Sequence, residues 1–284
     1  MLNDLPALPN GMAPIAIERA DDPRIAPFRD IKERDLTGRH GKFIVEGTVV
    51  LRMLAAAHKA AGDFRAECVL ILKNRLPGVL DILADFPADV PIYVAEAEVL
   101  DAIVGFHLHR GILALGARVG SRDLVQTVAS LPETSLVVTG CGLSNHDNMG
   151  AIFRNAAAFM ADAVFLDTTS CDPLYRKALR VSVGSVLSVP YHRGGDALSM
   201  LEALASQGFE IWSLSPAGKT EIRDIPPSPR MALVIGTEGD GLPPALLSRF
   251  HSARIAQSPQ LDSLNAGTAS GLALYQMASV MGRI

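Results

Sequence analysis

The sequence predicts an α/β protein whose carboxyl-terminal part is built on a mostly parallel sheet. Short runs rich in valine, isoleucine and leucine recur at 135–139, 163–166, 185–189, 210–214, 231–235 and 254–256. Helical patterns separate most of them, and short β-branched runs alternating with helices imply parallel strands covered on both faces. Glycine-bearing loops, Gly236-Thr237-Glu238-Gly239-Asp240-Gly241 and Asn265-Ala266-Gly267, lie where strands lead into helices, the edge at which such sheets bind ligands.

The chain has 284 residues, 49% of them hydrophobic, enough for one large or two ordinary domains with packed cores. In order, residues 1–14 are rich in proline, glycine and small side chains without helical or strand period, and read as a flexible tail. A smaller α/β domain is expected over 15–118, with a helix at 49–61, a strand at 68–72, a helix near 77–85, a strand at 91–94, a helix near 97–104 and a strand at 111–115. Gly120-Ser121-Arg122-Asp123 and a short amphipathic stretch form a junction over 119–131. The second domain is expected over 132–284.

No apolar stretch reaches the roughly 20 residues that span a bilayer, and Met1-Leu2-Asn3-Asp4 lacks the basic-then-apolar layout of a signal peptide, so a cytoplasmic location is expected. Cys68, Cys141 and Cys171 form no C-x-x-C pair and lie within or beside apolar runs, which suggests neither a metal site nor a disulfide framework. The formal net charge of −4 argues mildly against a phosphate-rich partner. Residues 24–75 are nevertheless dense in Arg and Lys diluted by carboxylates, which leaves a solvated surface and a nucleic-acid face both open.

Three segments carry candidate chemistry. Gly236, Gly239 and Gly241 let the backbone turn tightly and approach a ligand with no Cβ in the way, although an ordinary glycine-rich turn has the same composition. The loop is neither G-x-G-x-x-G nor a phosphate loop, which disfavours dinucleotides and triphosphates. Glu238 could accept hydrogen bonds from backbone, ribose or an arginine, or simply face solvent. Ser263 and Asn265 stand where helix N-caps stand. Arg154 lies among Ile152, Phe153, Ala156, Ala157 and Ala158, so its guanidinium must reach solvent, meet an anion, or pair with a carboxylate such as Glu238 or Asp147.

The segments N-x-G-x-I-x-R (Asn148 to Arg154), I-G-T-E-G-D-G-L (Ile235 to Leu242) and S-L-N (Ser263 to Asn265), with Cys171-Asp172-Pro173 through Ser182-Val183-Gly184 between the first two, resemble the SpoU (TrmH) branch of the SPOUT RNA ribose methyltransferases. The resemblance covers about 132–284; upstream, Phe43-Ile44-Val45-Glu46-Gly47 and His109-Arg110-Gly111-Ile112 are similar to the family's accessory RNA-binding domain, itself similar to small ribosomal proteins. The resemblance implies a deep trefoil knot in the carboxyl-terminal domain, a homodimer, and S-adenosylmethionine held by Gly236, Ile255, Leu264 and Leu214. It implies methyl transfer to a ribose 2′-hydroxyl of rRNA or tRNA, with rRNA favoured, and catalytic positions at Arg154, Asn148, Glu238, Ser263 and Asn265. The chain departs from the pattern at Met160, where glycine is usual, at Ala266-Gly267-Thr268 and at Asp262. A non-catalytic RNA-binding protein that kept the fold is the alternative.

Overall fold

The computed structural model describes the chain apart from residues 1–4, 6, 7, 9, 10, 12, 30–36, 39, 40, 105–110, 121, 122, 238 and 240. It divides into two compact units, Met1–Ser121 with Leu174–Leu187, and Arg122–Pro173 with Ser188–Ile284.

In the first unit, β1 (Ile15–Ile17), β2 (Lys42–Glu46), β3 (Phe64–Leu72), β4 (Ile92–Ala95) and β5 (Ile112–Arg118) form one mixed sheet in the order β1-β4-β3-β5-β2. Strand β3 pairs parallel with β4 and antiparallel with β5. It starts four residues before the expected 68–72 because Phe64, Ala66 and Cys68 alternate inward while Arg65 and Glu67 point out, and a shift in register between Ala66 and Cys68 breaks the simple period. Helix α1 (Thr48–Lys59) buries Val50, Leu51, Leu54 and Ala55 on one face and places His58 and Lys59 at the negative end of its dipole. The helix expected near 77–85 is instead a 3-10 stretch (Lys73–Val79) followed by a single turn, α2 (Leu80–Leu83), since Pro77 has no N–H to continue an α-helical ladder. Helix α3 (Ala97–Val104) has the expected bounds. Ile17, Phe28, Ile44, Leu70 and Leu113 meet in the core.

Residues 174–187 complete this unit. Helix α6 (Arg176–Val181) sets Arg176 and Arg180 3.9 and 4.0 Å from the Glu46 carboxylate. The strand expected at 185–189 is a correction: Gly184, at φ 84°, closes α6 by donating its N–H to Leu179, and Ser185–Leu187 follow as a buried 3-10 turn. The apolar content of that run comes from burial, Val186 and Leu187 in the first unit and Val189 in the second, and not from strand pairing.

The second unit is a seven-stranded sheet in the order β10-β12-β9-β11-β6-β7-β8, every pair parallel. Its strands are β6 (Ser135–Gly140), β7 (Ala163–Leu166), β8 (Tyr191–Arg193), β9 (Glu210–Leu214), β10 (Thr220–Glu221), β11 (Arg230–Ile235) and β12 (His251–Arg254). The strand expected at 254–256 thus lies three residues earlier, its polar His251 and Ser252 having hidden the period, and Ile255 is free to leave the sheet. Every residue of β6 and β7 is buried, as parallel strands covered on both faces require.

Helix α4 (Leu124–Ala129) opens the unit; α7 (Ala197–Ser206) and α8 (Pro244–Arg249) supply Met200, Leu201, Leu204 and Leu246, which pack with Val137, Phe165 and Val234. Helices α5 (His146–Ala158) and α9 (Ala266–Val280) pack against each other; α5 buries Met149, Ile152 and Phe153, and α9 buries Ala273, Leu274 and Met277. Among the described residues no helix is long and apolar enough to cross a membrane.

Candidate active site

A cavity of about 350 Å³ opens at the carboxyl ends of β9, β11 and β12, within the range of small-molecule sites. Leu214 and Ile235, the last residues of two adjoining strands, and Ile255, just past a third, supply apolar walls; Ser263, Leu264 and Asn265, leading into α9, close the far side. Gly236 belongs there for a specific reason. A Cβ on it would lie 2.5 Å from the carbonyl carbon of Gly241 and 2.8 Å from the amide nitrogen of Leu242, so the loop can fold back only onto a bare backbone. Thr237 and Gly241 pair as an isolated bridge across that turn, and Gly239 and Gly241 take φ of 95° and 69°.

Eight of the residues singled out from the sequence, Leu214, Gly236, Gly239, Gly241, Ile255, Ser263, Leu264 and Asn265, therefore border one cavity. Asn148 is joined to it indirectly: it is buried on α5 and its Oδ1 accepts a 2.8 Å hydrogen bond from Asn265 Nδ2. Asn265 is also the N-cap expected of it, its Oδ1 accepting from Thr268 N at 3.1 Å. Arg154 does not line the cavity. It is exposed on α5, and among the described residues it makes no hydrogen bond or ion pair, Asp147 included. Glu238 lies outside the described residues.

Three lining residues, Ser215, Thr237 and Gln257, were not singled out from the sequence; their signal is position alone, one to three residues beyond a strand end. Gln257 donates to the Leu261 carbonyl at 3.0 Å and so folds the segment before Ser263. Among the described residues no charged side chain lines the cavity. The described lining offers apolar side chains, neutral polar side chains and backbone groups.

The departures at Met160 and Gly267 have physical readings. Gly267 faces Ala151, where a Cβ would come within 2.7 Å of the alanine Cβ, so the two helices touch at glycine. Beside it Asn155 Nδ2 donates to Gly267 O at 2.8 Å and to Ser270 Oγ at 2.9 Å. Met160, at φ 57°, ends α5 in the left-handed conformation that glycine adopts without strain. Burial pushes the Cys141 thiol up to about 12, with the Asp167 charge adding to it, and the Cys171 thiol to about 11, with Asp172 adding, which disfavours the reactive thiolate.

With this geometry stand the similarities to known proteins. The SpoU rRNA methylase family matches residues 135–275. A protein of Mycobacterium tuberculosis described as an uncharacterized tRNA/rRNA methyltransferase is 37% identical over 278 residues, covering 94% of this chain and 93% of its own. The chain belongs to the SpoU family. A protein of Synechocystis with the same description is 26% identical and covers 92% of both chains. Among solved structures, an AdoMet-bound rRNA methyltransferase from Sinorhizobium meliloti superposes with a TM-score of 0.79 at 21% identity, covering 93% of this chain and 97% of its own. An RNA 2′-O ribose methyltransferase does so with 0.75 at 24% identity, covering 95% and 100%. The α/β fold of this SpoU member is that of the SPOUT methyltransferases.

Proposed function

We propose that this SpoU-family protein is an S-adenosylmethionine-dependent RNA methyltransferase that methylates a ribose 2′-hydroxyl of ribosomal or transfer RNA, with ribosomal RNA favoured. The observation that carries this reading is the convergence of Leu214, Gly236, Ile255 and Leu264, from four separate segments, on one cavity at the ligand-binding edge of a parallel sheet. The residues fit the donor: a bare backbone at Gly236 for hydrogen bonds, and apolar walls at Leu214, Ile255 and Leu264 for a purine. When bound, S-adenosylmethionine supplies a methyl group on a sulfonium.

The protein's share is alignment. Two partners held in line can gain roughly 7 to 11 kcal/mol of barrier from orientation. Arg154, exposed and unpartnered among the described residues, would take a phosphate of the target strand and steady charge that develops at the hydroxyl. A guanidinium keeps its proton, so it orients and stabilises and is no base. Asn148 and Asn265 fix α5 against α9, and Ser263 and Glu238 complete the proposed polar set.

Three further elements belong to the proposal. Residues up to about 118 grip the RNA. The carboxyl-terminal segment threads a trefoil knot, which the insertion of β12 between β10 and β9, after β11 has run between β9 and β6, supports. The protein works in the cytoplasm as a homodimer, supported by Met160, Leu272 and Tyr275, which leave 56, 45 and 56% of their surface exposed.

The test is purified protein with labelled donor and RNA from cells lacking it, read as 2′-O-methylated nucleoside. Arg154→Ala should abolish product and leave donor affinity within a few-fold. Full activity in that variant removes Arg154 from the mechanism; no heat on titrating the donor into the native protein favours a non-catalytic RNA binder.

A further inference from the structure

Asp167, just past the end of β7, is 7% exposed and no cation neutralises it among the described residues. A buried charge persists only where hydrogen bonds replace its water. Its oxygens accept from Gly142 N at 3.0 and 3.1 Å, from Ser170 N at 2.8 Å, from Ser170 Oγ at 2.6 Å and from Thr169 Oγ1 at 2.8 Å. Ser170 Oγ, 1% exposed at the residue level, in turn accepts from Leu143 N at 3.1 Å. Through these contacts one carboxylate and one hydroxyl tie down consecutive amides of the loop between β6 and α5.

That loop connects the two halves of the candidate site. At one end, Gly142, with φ 66°, packs so closely on the cavity-lining Thr237 that a Cβ would lie 2.7 Å from its Cγ2. At the other, Asn145 caps α5, the helix that carries Asn148 and Arg154. Thr237 is held independently by its bridge to Gly241. A slackened loop would therefore loosen the start of α5 while the Gly236–Gly241 turn of the cavity keeps its own bridge.

We propose that Asp167 is a positioning residue, which fixes the start of α5 through Gly142 and Ser170 and so sets the target-facing side chains against the cavity. This rests on the methyl-transfer reading above. Only a carboxylate offers acceptors on both oxygens to this many donors; an amide turns a donor toward one of the groups that now donate to it. Asp167→Asn keeps the shape and sets an N–H against Gly142 N in place of the Oδ2 acceptor, which weakens the clamp.

Two readouts on the full-length protein test it. In turnover with RNA, Asp167→Asn and Ser170→Ala should each lower kcat, normalised to folded protein, by about 100-fold, the order expected for a misplacement of about 1 Å. Donor Kd should stay within about threefold, and Thr169→Ala, which leaves the Gly142 and Ser170 bonds intact, should turn over like the native protein. In hydrogen exchange, Gly142, Leu143 and the first turn of α5 should exchange at least about tenfold faster in Asp167→Asn, with β11 unchanged. Native kcat in Asp167→Asn, equal losses in all three variants, or unchanged exchange at Gly142 would overturn the proposal. The exchange readout decides the clamp even if the native protein transfers no methyl group, an outcome that would sink the methyl-transfer reading instead.

Discussion

Gly236→Ala is the sharpest perturbation of the cavity because the neighbours it strikes are all backbone. The new Cβ would stand 2.5 Å from Gly241 C and 2.6 Å from Gly241 O, against an ordinary contact of 3.4 Å, so the 236–241 turn must retreat by about 0.9 Å. No side chain can rotate to absorb that shift. Overpacking of this kind destabilises by about 1 to 3 kcal/mol. The same retreat displaces the wall that presents backbone groups to the donor; hydrogen bonds left unmade there cost about 1 to 3 kcal/mol, an expected loss of about 10- to 100-fold in affinity. Isothermal titration with S-adenosylmethionine measures it, alongside a melt to confirm folding. Gly78→Ala, at a position where an added methyl carbon would meet no atom within 4 Å and where φ is not positive, is the control and should bind as the native protein does. A Gly236→Ala protein with native Kd and native Tm would refute the claim that backbone crowding at this residue shapes the donor site.

The remaining expectations concern the helices and the first unit. Asn265→Ala removes the α9 cap, worth about 1 kcal/mol, together with the donor to buried Asn148, so denaturant titration should show a loss of about 1 to 3 kcal/mol, with methyl transfer falling further than stability. Met160→Gly relieves a left-handed strain of about 1 to 2 kcal/mol and gives back about 0.5 to 1 kcal/mol in chain entropy; its Tm should match or exceed the native value, and a clear drop would refute the strain reading. His58 has its pKa lowered by burial and then by Arg65, and its Nδ1 accepts from Ala66 N. The unfolded chain therefore takes up a proton first as pH falls below 6.5, and stability should decline from there downward; His58→Gln should flatten that slope in urea titrations at pH 5 to 7.

What the sequence disclosed and what it withheld follow from how each feature is encoded. The central strands and the ends of β9 and β11 were legible because burial on both faces leaves an unbroken apolar run, and the cavity residues followed because parallel sheets place ligands at those ends. The run at 185–189 has the same composition for a different cause, burial without strand pairing, and apolarity alone does not tell a strand from a buried turn. Strand β12 erred the other way, since His251 and Ser252 broke its pattern.

Least visible was the polar scaffold around the site. Asn155 reaches across 112 residues to Gly267, and Asp167 reaches back 25 to Gly142. Neither carries a periodic signal, because a long-range hydrogen bond fixes only one residue in each of two segments. Yet Asn155 joins the Arg154 helix to α9, and Asp167 holds the loop that leads into it. A motif can mark where a ligand goes, while part of the scaffold that joins its segments lies in side chains, such as Asn155 and Asp167, that the three motifs do not contain.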